Sequence, residues 1–175
     1  TSMWANSNGW KATMQMEQRI EPEEDREIVT TRVIDGPRHL VFRAWTEVRH
    51  LARWFGPRGF TTTTYAFEFR PGGVWEFEMH GPDGTTYPNR IEWREIVPPE
   101  RITFRQGEHE NDPDAFESTV TFADRAGRTE ITLRALLNNK AQRDYLAEHY
   151  RAVEGGRETL ERLEEYVHEL GSVES

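Results

Sequence analysis

Residues 70–105, RPGGVWEFEMHGPDGTTYPNRIEWREIVPPERITFR, set three alternating segments between three turns, and their reading decides the fold. Over 74–79, Trp75, Phe77 and Met79 fall on one side and Glu76 and Glu78 on the other, the two-residue period of a half-buried strand. Gly81-Pro82-Asp83-Gly84 then turns the chain, because glycine reaches positive φ cheaply and proline fixes φ near the value a turn needs. Tyr87, Ile91 and Trp93 carry the apolar face onward. Pro98-Pro99 cannot donate ladder hydrogen bonds and stops that strand, after which Ile102 and Phe104 resume it.

Upstream, residues 27–34 read as a first strand ended by Asp35-Gly36-Pro37. Leu40, Val41, Ala44 and Trp45 then recur at helical spacing, and a second short helix carries Val48, Leu51, Ala52, Trp54 and Phe55 up to Gly56-Pro57. A strand over 60–69, with Tyr65, Phe67 and Phe69 on one side, leads through Pro71-Gly72-Gly73 into the opening segment. Downstream, an acidic loop at 108–114 precedes strands around 116–123 and 129–137, joined by Arg125-Ala126-Gly127. The last element is a helix over 141–170, about 45 Å long at the α-helical rise. Its apolar stripe is Leu146, Tyr150, Val153, Leu160, Leu163, Val167 and Leu170. Gly155-Gly156 interrupts it at about 1 kcal/mol per glycine relative to alanine, so the pair permits a close approach or marks a bend.

The expectation is a single α+β domain over 26–171, preceded by a mobile arm or expression remnant at 1–25 and followed by a disordered tail at 172–175. Trp4 and Trp10 in that arm are large enough to dock on the body or on a second subunit. Acidic residues outnumber basic ones 31 to 22, and a net charge of −9 argues against a general binder of nucleic acid. The absence of cysteine excludes disulfides, iron–sulfur clusters and thiol nucleophiles. No stretch approaches the roughly 18 apolar residues of a membrane span, and no signal-peptide order opens the sequence, so a cytoplasmic location is expected.

Phe67, Phe69, Trp75, Phe77, Met79, Tyr87, Ile91, Trp93, Phe104 and Val120 share inward parity and are bulky enough to line an apolar pocket. The same parity describes an ordinary core, and the pattern alone leaves both open. His39, His50, His80, His109, His149 and His168 show no metal-ligand spacing, and no cofactor is expected. His80 reads as a turn residue. His149, beside the helix stripe, reads as an interior histidine or as a group that orients a ligand or takes a proton. Glu108, Glu110, Asp112 and Asp114 lack the glycine and spacing of a calcium loop.

This order of elements resembles the helix-grip fold of the START and Bet v 1-like (SRPBCC) superfamily: a curved antiparallel sheet of six to seven strands, two short helices after the first, and a long C-terminal helix across the sheet. Trp54-Phe55-Gly56-Pro57 with Phe60, Arg70-Pro71-Gly72-Gly73 with Trp75, Gly81-Pro82-Asp83-Gly84, residues 95–102 and residues 154–160 narrow it. Together they are similar to bacterial proteins related to the activator of the heat-shock protein 90 ATPase. The resemblance implies a cavity between sheet and helix that holds a small hydrophobic or amphipathic molecule. Its lining would include Trp45, Trp54, Phe55, His149, Val153, Gly156 and Leu160 beside the inward strand residues. Many relatives carry an aromatic where Gly156 stands, so a pocket bordered by Val153, Gly156, Leu160, Trp75 and Trp93 is expected. Two other classes remain open: a cyclase- or hydratase-like enzyme using the same cavity, and a module that binds a chaperone or other protein. The oligomeric expectation is a monomer or homodimer.

Overall fold

A computed structural model describes residues 21–174. The arm expected at 1–25 therefore lies mostly outside the described residues, Trp4 and Trp10 included. Its last part is held: Glu23–Asp25 forms a 3-10 turn, Glu23 pairs with Arg134 at 2.9 Å, and Glu21 accepts the Lys140 N–H.

Seven strands form one antiparallel sheet: β1 (Glu27–Ile34), β2 (Thr61–Phe67), β3 (Val74–His80), β4 (Thr86–Val97), β5 (Arg101–Gly107), β6 (Phe116–Arg125) and β7 (Arg128–Leu136), in spatial order β1-β7-β6-β5-β4-β3-β2. Two short helices, α1 (Arg38–Arg43) and α2 (Val48–Trp54), follow β1, and α3 (Lys140–His149) and α4 (Ala152–Glu174) close the chain. This is the helix-grip arrangement.

The hairpin chemistry falls where the turns need it. Gly72 and Gly84 take φ of 83° and 87°, conformations that a side chain would strain. Inward parity on β3 and β4 also holds, with Trp75, Phe77, Ile91 and Trp93 buried and Glu76 exposed. Tyr65 departs from it. A bulge between Thr64 and Ala66 makes it the unpaired extra residue, so it turns out to solvent and donates to Glu78 Oε1 at 2.6 Å, while Phe67 faces in opposite Trp75.

The C-terminal helix differs more. It breaks at Tyr150-Arg151, and Arg151 sits at a φ of 50°, a conformation that costs a non-glycine residue about 1–3 kcal/mol. α3 starts on an Asn139 cap, whose side chain accepts the Gln142 N–H; α4 restarts with the Gly155 N–H donating to Arg151 O. α4 also runs on through Glu174, where a disordered tail was expected.

α4 lies along β1 rather than across the centre of the sheet. A Cβ on Gly156 would meet Thr30 Oγ1 at 2.6 Å, and one on Gly155 would meet Pro57 Cγ at 3.3 Å. The glycine pair thus permits close approach, wedged between β1 and the loop after α2. Arg162 fixes that loop by donating to the carbonyls of Gly56, Pro57 and Arg53. Further along, the Glu164 carboxylate accepts from Arg32 and from the Asp35 N–H. Burial pushes Glu164 up, but those donors outweigh it and hold its carboxyl below the ordinary range.

Candidate functional site

The inward residues of the sheet pass from sealed to part-open toward one common end. On β3 Trp75 and Phe77 are buried and Met79 is half-buried; on β4 Trp93 and Ile91 give way to Asn89 and Tyr87. On β5 Ile102 and Phe104 give way to Gln106, and on β6 Phe122, Val120 and Ser118 give way to Phe116. On β7 Thr129 and Ile131 give way to Leu133 and Ala135. By register the open positions step obliquely from rung to rung: Ala135, opposite Ile28 of β1, shares a rung with Ser118 and Phe104, Gln106 lies between Ile91 and Phe116, and Met79 is opposite Tyr87. A mid-sheet leucine flanked by strands on both sides stays accessible where nothing packs down on it.

The sealed half is close-packed. α1 and α2 set Leu40, Val41, Phe42, Trp45, Leu51, Trp54 and Phe55 into it. Phe55 lies edge-on to Trp75 at 5.1 Å between ring centroids, and Trp45 lies 6.3 Å from Phe104 and 4.8 Å from Trp54. Ten of the residues expected to line a cavity, Trp45, Trp54, Phe55, Trp75, Phe77, Ile91, Trp93, Phe104, Val120 and Leu160, are buried core here. Phe67 and Phe69 pack edge-on to Trp93 at its outer end. The correction has a plain cause: the two short helices, not α4, cover Trp75 and Phe77. Two of the four core indoles keep donors with no acceptor among the described groups, Trp45 Nε1 and Trp93 Nε1, whereas Trp54 donates to Ala44 O and Trp75 to Thr64 Oγ1.

The open half has a different roof. At the α3–α4 break, Tyr150 sets its ring 6.3 Å from Tyr87 and 5.6 Å from Tyr145, and Phe60 flanks Tyr87 from the far side at 6.0 Å. Tyr145 and Tyr150 are about half exposed, at 49% and 52%. The Tyr145 hydrogen bond, with Glu108 and Tyr87 nearby, pushes the Tyr150 hydroxyl above its ordinary pKa. On the floor, Gln106 Nε2 donates to Asn89 Oδ1 at 3.2 Å, and Asn89 Nδ2 donates to Tyr87 O. Of the expected lining, Met79 and Tyr87 belong to this half. His149 does not enter it; it is exposed on α3 with its ring 4.4 Å from Tyr145. Val153 is 37% exposed, and Gly156 faces Thr30 rather than Trp75 and Trp93, so the pocket expected around Val153, Gly156 and Leu160 is occupied by β1.

Asn89, Gln106, Tyr145, Tyr150, Leu133 and Ala135 were absent from the expected lining. For the two amides a signal existed: each sits in the inward register of its strand, Asn89 between Tyr87 and Ile91, and Gln106 two residues after Phe104. Tyr150 was legible only as a member of the helix stripe and Tyr145 not at all, because their placement depends on the helix break.

Among the clefts elsewhere on the described residues are two on the surface. One of about 260 Å³ on the outer sheet face is lined by Arg90, Arg94, Arg105, Glu92 and the 107–112 loop, but its arginines pair with Glu76, Glu92 and Glu117. Asp112 in that loop is buried, accepting the Glu108 and Asp114 N–H groups, so it staples the loop. The other, about 450 Å³, lies between Gly36, Leu40 and the end of α4. Among the described residues no cluster of three or more His, Asp or Glu suits a metal ion, and no helix is long and apolar enough to cross a membrane.

Between α2 and α4, His50 is 3% exposed; its Nδ1 bonds the Tyr166 hydroxyl and its Nε2 lies 3.0 Å from Glu47 Oε2. That second contact is poorly aligned for a hydrogen bond and leaves Nε2 without a directed partner. Burial pushes His50 below its ordinary value, opposed by Glu47.

The family model for the activator of Hsp90 ATPase homolog 1-like proteins matches residues 35–168, and the chain belongs to that family. A crystal structure of a protein from Nitrosomonas europaea superposes with a TM-score of 0.75 at 24% identity, covering 85% of this chain and 97% of that one. A solution structure from Arthrobacter aurescens gives 0.76 at 24% identity, covering 85% and 90%. One from Staphylococcus epidermidis gives 0.72 at 22% identity, covering 87% and 94%. At these identities the likeness speaks to fold alone. No curated protein matches the sequence.

Proposed function

We propose that this member of the family binds a small amphipathic molecule in the open half of the grip, between the sheet and the α3–α4 break. The supporting observation is the common direction in which five strands pass from sealed to part-open. In this reading the apolar body of the ligand lies on Leu133 and Ala135, against the packed edge formed by Ile91, Phe77 and Phe104. Tyr87, Tyr145 and Tyr150 form the mouth. A site of this type, apolar walls with a few convergent polar groups, is the usual build for small-molecule recognition.

The test is a titration with Nile red, an uncharged apolar dye, on the full chain. One saturable site is expected. Ala135→Trp should abolish it by filling the groove, and Val33→Trp on the outer face should leave it unchanged. Equal dye binding by wild type and Ala135→Trp would reject the groove.

A further inference from the structure

Resting on that reading, we infer that the ligand presents an uncharged hydrogen-bonding end, a phenol, alcohol or carbonyl, to the Asn89–Gln106 amide pair. The hydrogen-bonding side chains argued for the floor and mouth of the open half, Asn89, Gln106, Tyr87, Tyr145 and Tyr150, are all neutral, and the charge beside them is the Glu108 carboxylate. Asn89 and Gln106 are joined by one hydrogen bond and keep capacity to spare: Gln106 Oε1 accepts from no described residue, and each amide nitrogen retains one N–H. The pair therefore offers both an acceptor and a donor to a bound group, which suits a hydroxyl that gives one hydrogen bond and takes another. The mouth supplies the phenols of Tyr87, Tyr145 and Tyr150.

A carboxylate or phosphate would need a cation that is not committed elsewhere. Arg90, Arg94 and Arg105, the basic residues of β4 and β5 beside the amides, have the opposite parity and are paired with Glu76, Glu92 and Glu117 on the outer face. Arg143 donates to Glu27 O and Asp144, and Arg32 is held by Glu164. Arg151 at the break is exposed to solvent. At neutral pH the charged group near the Tyr150 hydroxyl is Glu108, a carboxylate that opposes an anion at the mouth. Desolvating a carboxylate over such a surface is unfavourable, while a neutral hydroxyl loses little.

The experiment is calorimetric titration of the full chain at neutral pH with three probes of one shape: 2-naphthol, 2-naphthoate and 2-methylnaphthalene. 2-Naphthol should bind about tenfold tighter than either of the others, the size of one well-made neutral hydrogen bond in a dry site. Asn89→Leu and Gln106→Leu should bring 2-naphthol down to the level of 2-methylnaphthalene, whose own affinity stays or rises. Gln106→Lys should reverse the preference toward 2-naphthoate, and it keeps the inference testable if a leucine variant fails to fold. Tighter binding of 2-naphthoate by the wild type, or equal binding of 2-naphthol and 2-methylnaphthalene, overturns the inference and leaves the groove standing. Failure of all three probes, together with Nile red binding that Ala135→Trp does not alter, removes the groove itself and the inference with it.

Discussion

Over the sealed part of the inner sheet face, α1 and α2 lower Trp45, Trp54 and Phe55 onto Trp75, Phe77 and Phe104, ring against ring. Elsewhere α3 and the start of α4 reach β1 and, through Tyr150, Tyr87, and Leu133, Ala135, Gln106 and Tyr87 remain part-open. Both parts offer apolar side chains of inward parity, and apart from the amides Asn89 and Gln106 composition does not separate them. What separates them is delivery. Helices as short as α1 have little intrinsic stability and persist because their bulky side chains are buried. The sealed half and the short helices therefore form one packing unit, and the part-open positions lie outside it.

The largest break in that comparison should come from truncating a sealed-half ring. Trp45→Ala should cost about 3–5 kcal/mol in urea denaturation, the range for large-to-small changes in a packed core. Tyr150→Ala should stay within about 0.5 kcal/mol, as surface substitutions usually do. Similar costs for the two would mean that the halves are not distinct.

Next in size is the glycine pair. Alanine in a helix interior is favoured over glycine by about 1 kcal/mol, so propensity alone predicts that both replacements stabilise. Contact decides otherwise at one of them. Gly155→Ala meets Pro57 Cγ at 3.3 Å and should raise the melting temperature or leave it unchanged, whereas Gly156→Ala meets Thr30 Oγ1 at 2.6 Å and should lower it. Gly156→Trp should destabilise by about 3 kcal/mol, the upper end for overpacking. Thr30→Ala should relieve the Gly156→Ala defect in a double-mutant cycle, and a purely additive cycle would show that the helix does not press on β1 there.

Arg162→Met should cost about 2 kcal/mol, because the three carbonyls that it serves at Arg53, Gly56 and Pro57 lose a charged donor. Since that loop holds Gly56 beside Met79, the same variant should also alter Nile red affinity. An unchanged melt and affinity would separate the loop from the groove.

The smallest effect is a pH dependence. Burial holds His50 below its ordinary value of 6.5, so the folded protein resists the proton that the unfolded chain accepts. Stability from this group is complete above pH 6.5 and declines as pH falls through that value toward the folded one. Melting temperatures between pH 5 and 7 should therefore fall on the acid side in wild type and fall less in His50→Phe. Parallel pH profiles would remove His50 as the cause.

The period-two parity of β3 and β4, the stops at Pro98-Pro99 and Gly56-Pro57, and the reversals at Gly72 and Gly84 were all legible in the sequence. Each depends on backbone sterics and side-chain direction within a few residues. So was the inward register of Asn89 and Gln106, a polar interruption of an apolar face that marks a floor. Three features had no local signal. The Tyr65 bulge arises from pairing with β3. The break at Tyr150-Arg151 carries neither glycine nor proline and places a non-glycine residue at positive φ, so only surrounding contacts can sustain it. Which part of the sheet is sealed was decided by where α1, α2 and α4 land. Periodicity says that a side chain points inward, but whether it meets another ring or open space depends on elements tens of residues away. That is why Trp75 became core, Tyr87 stayed part-open, and Gly156 came to rest on Thr30.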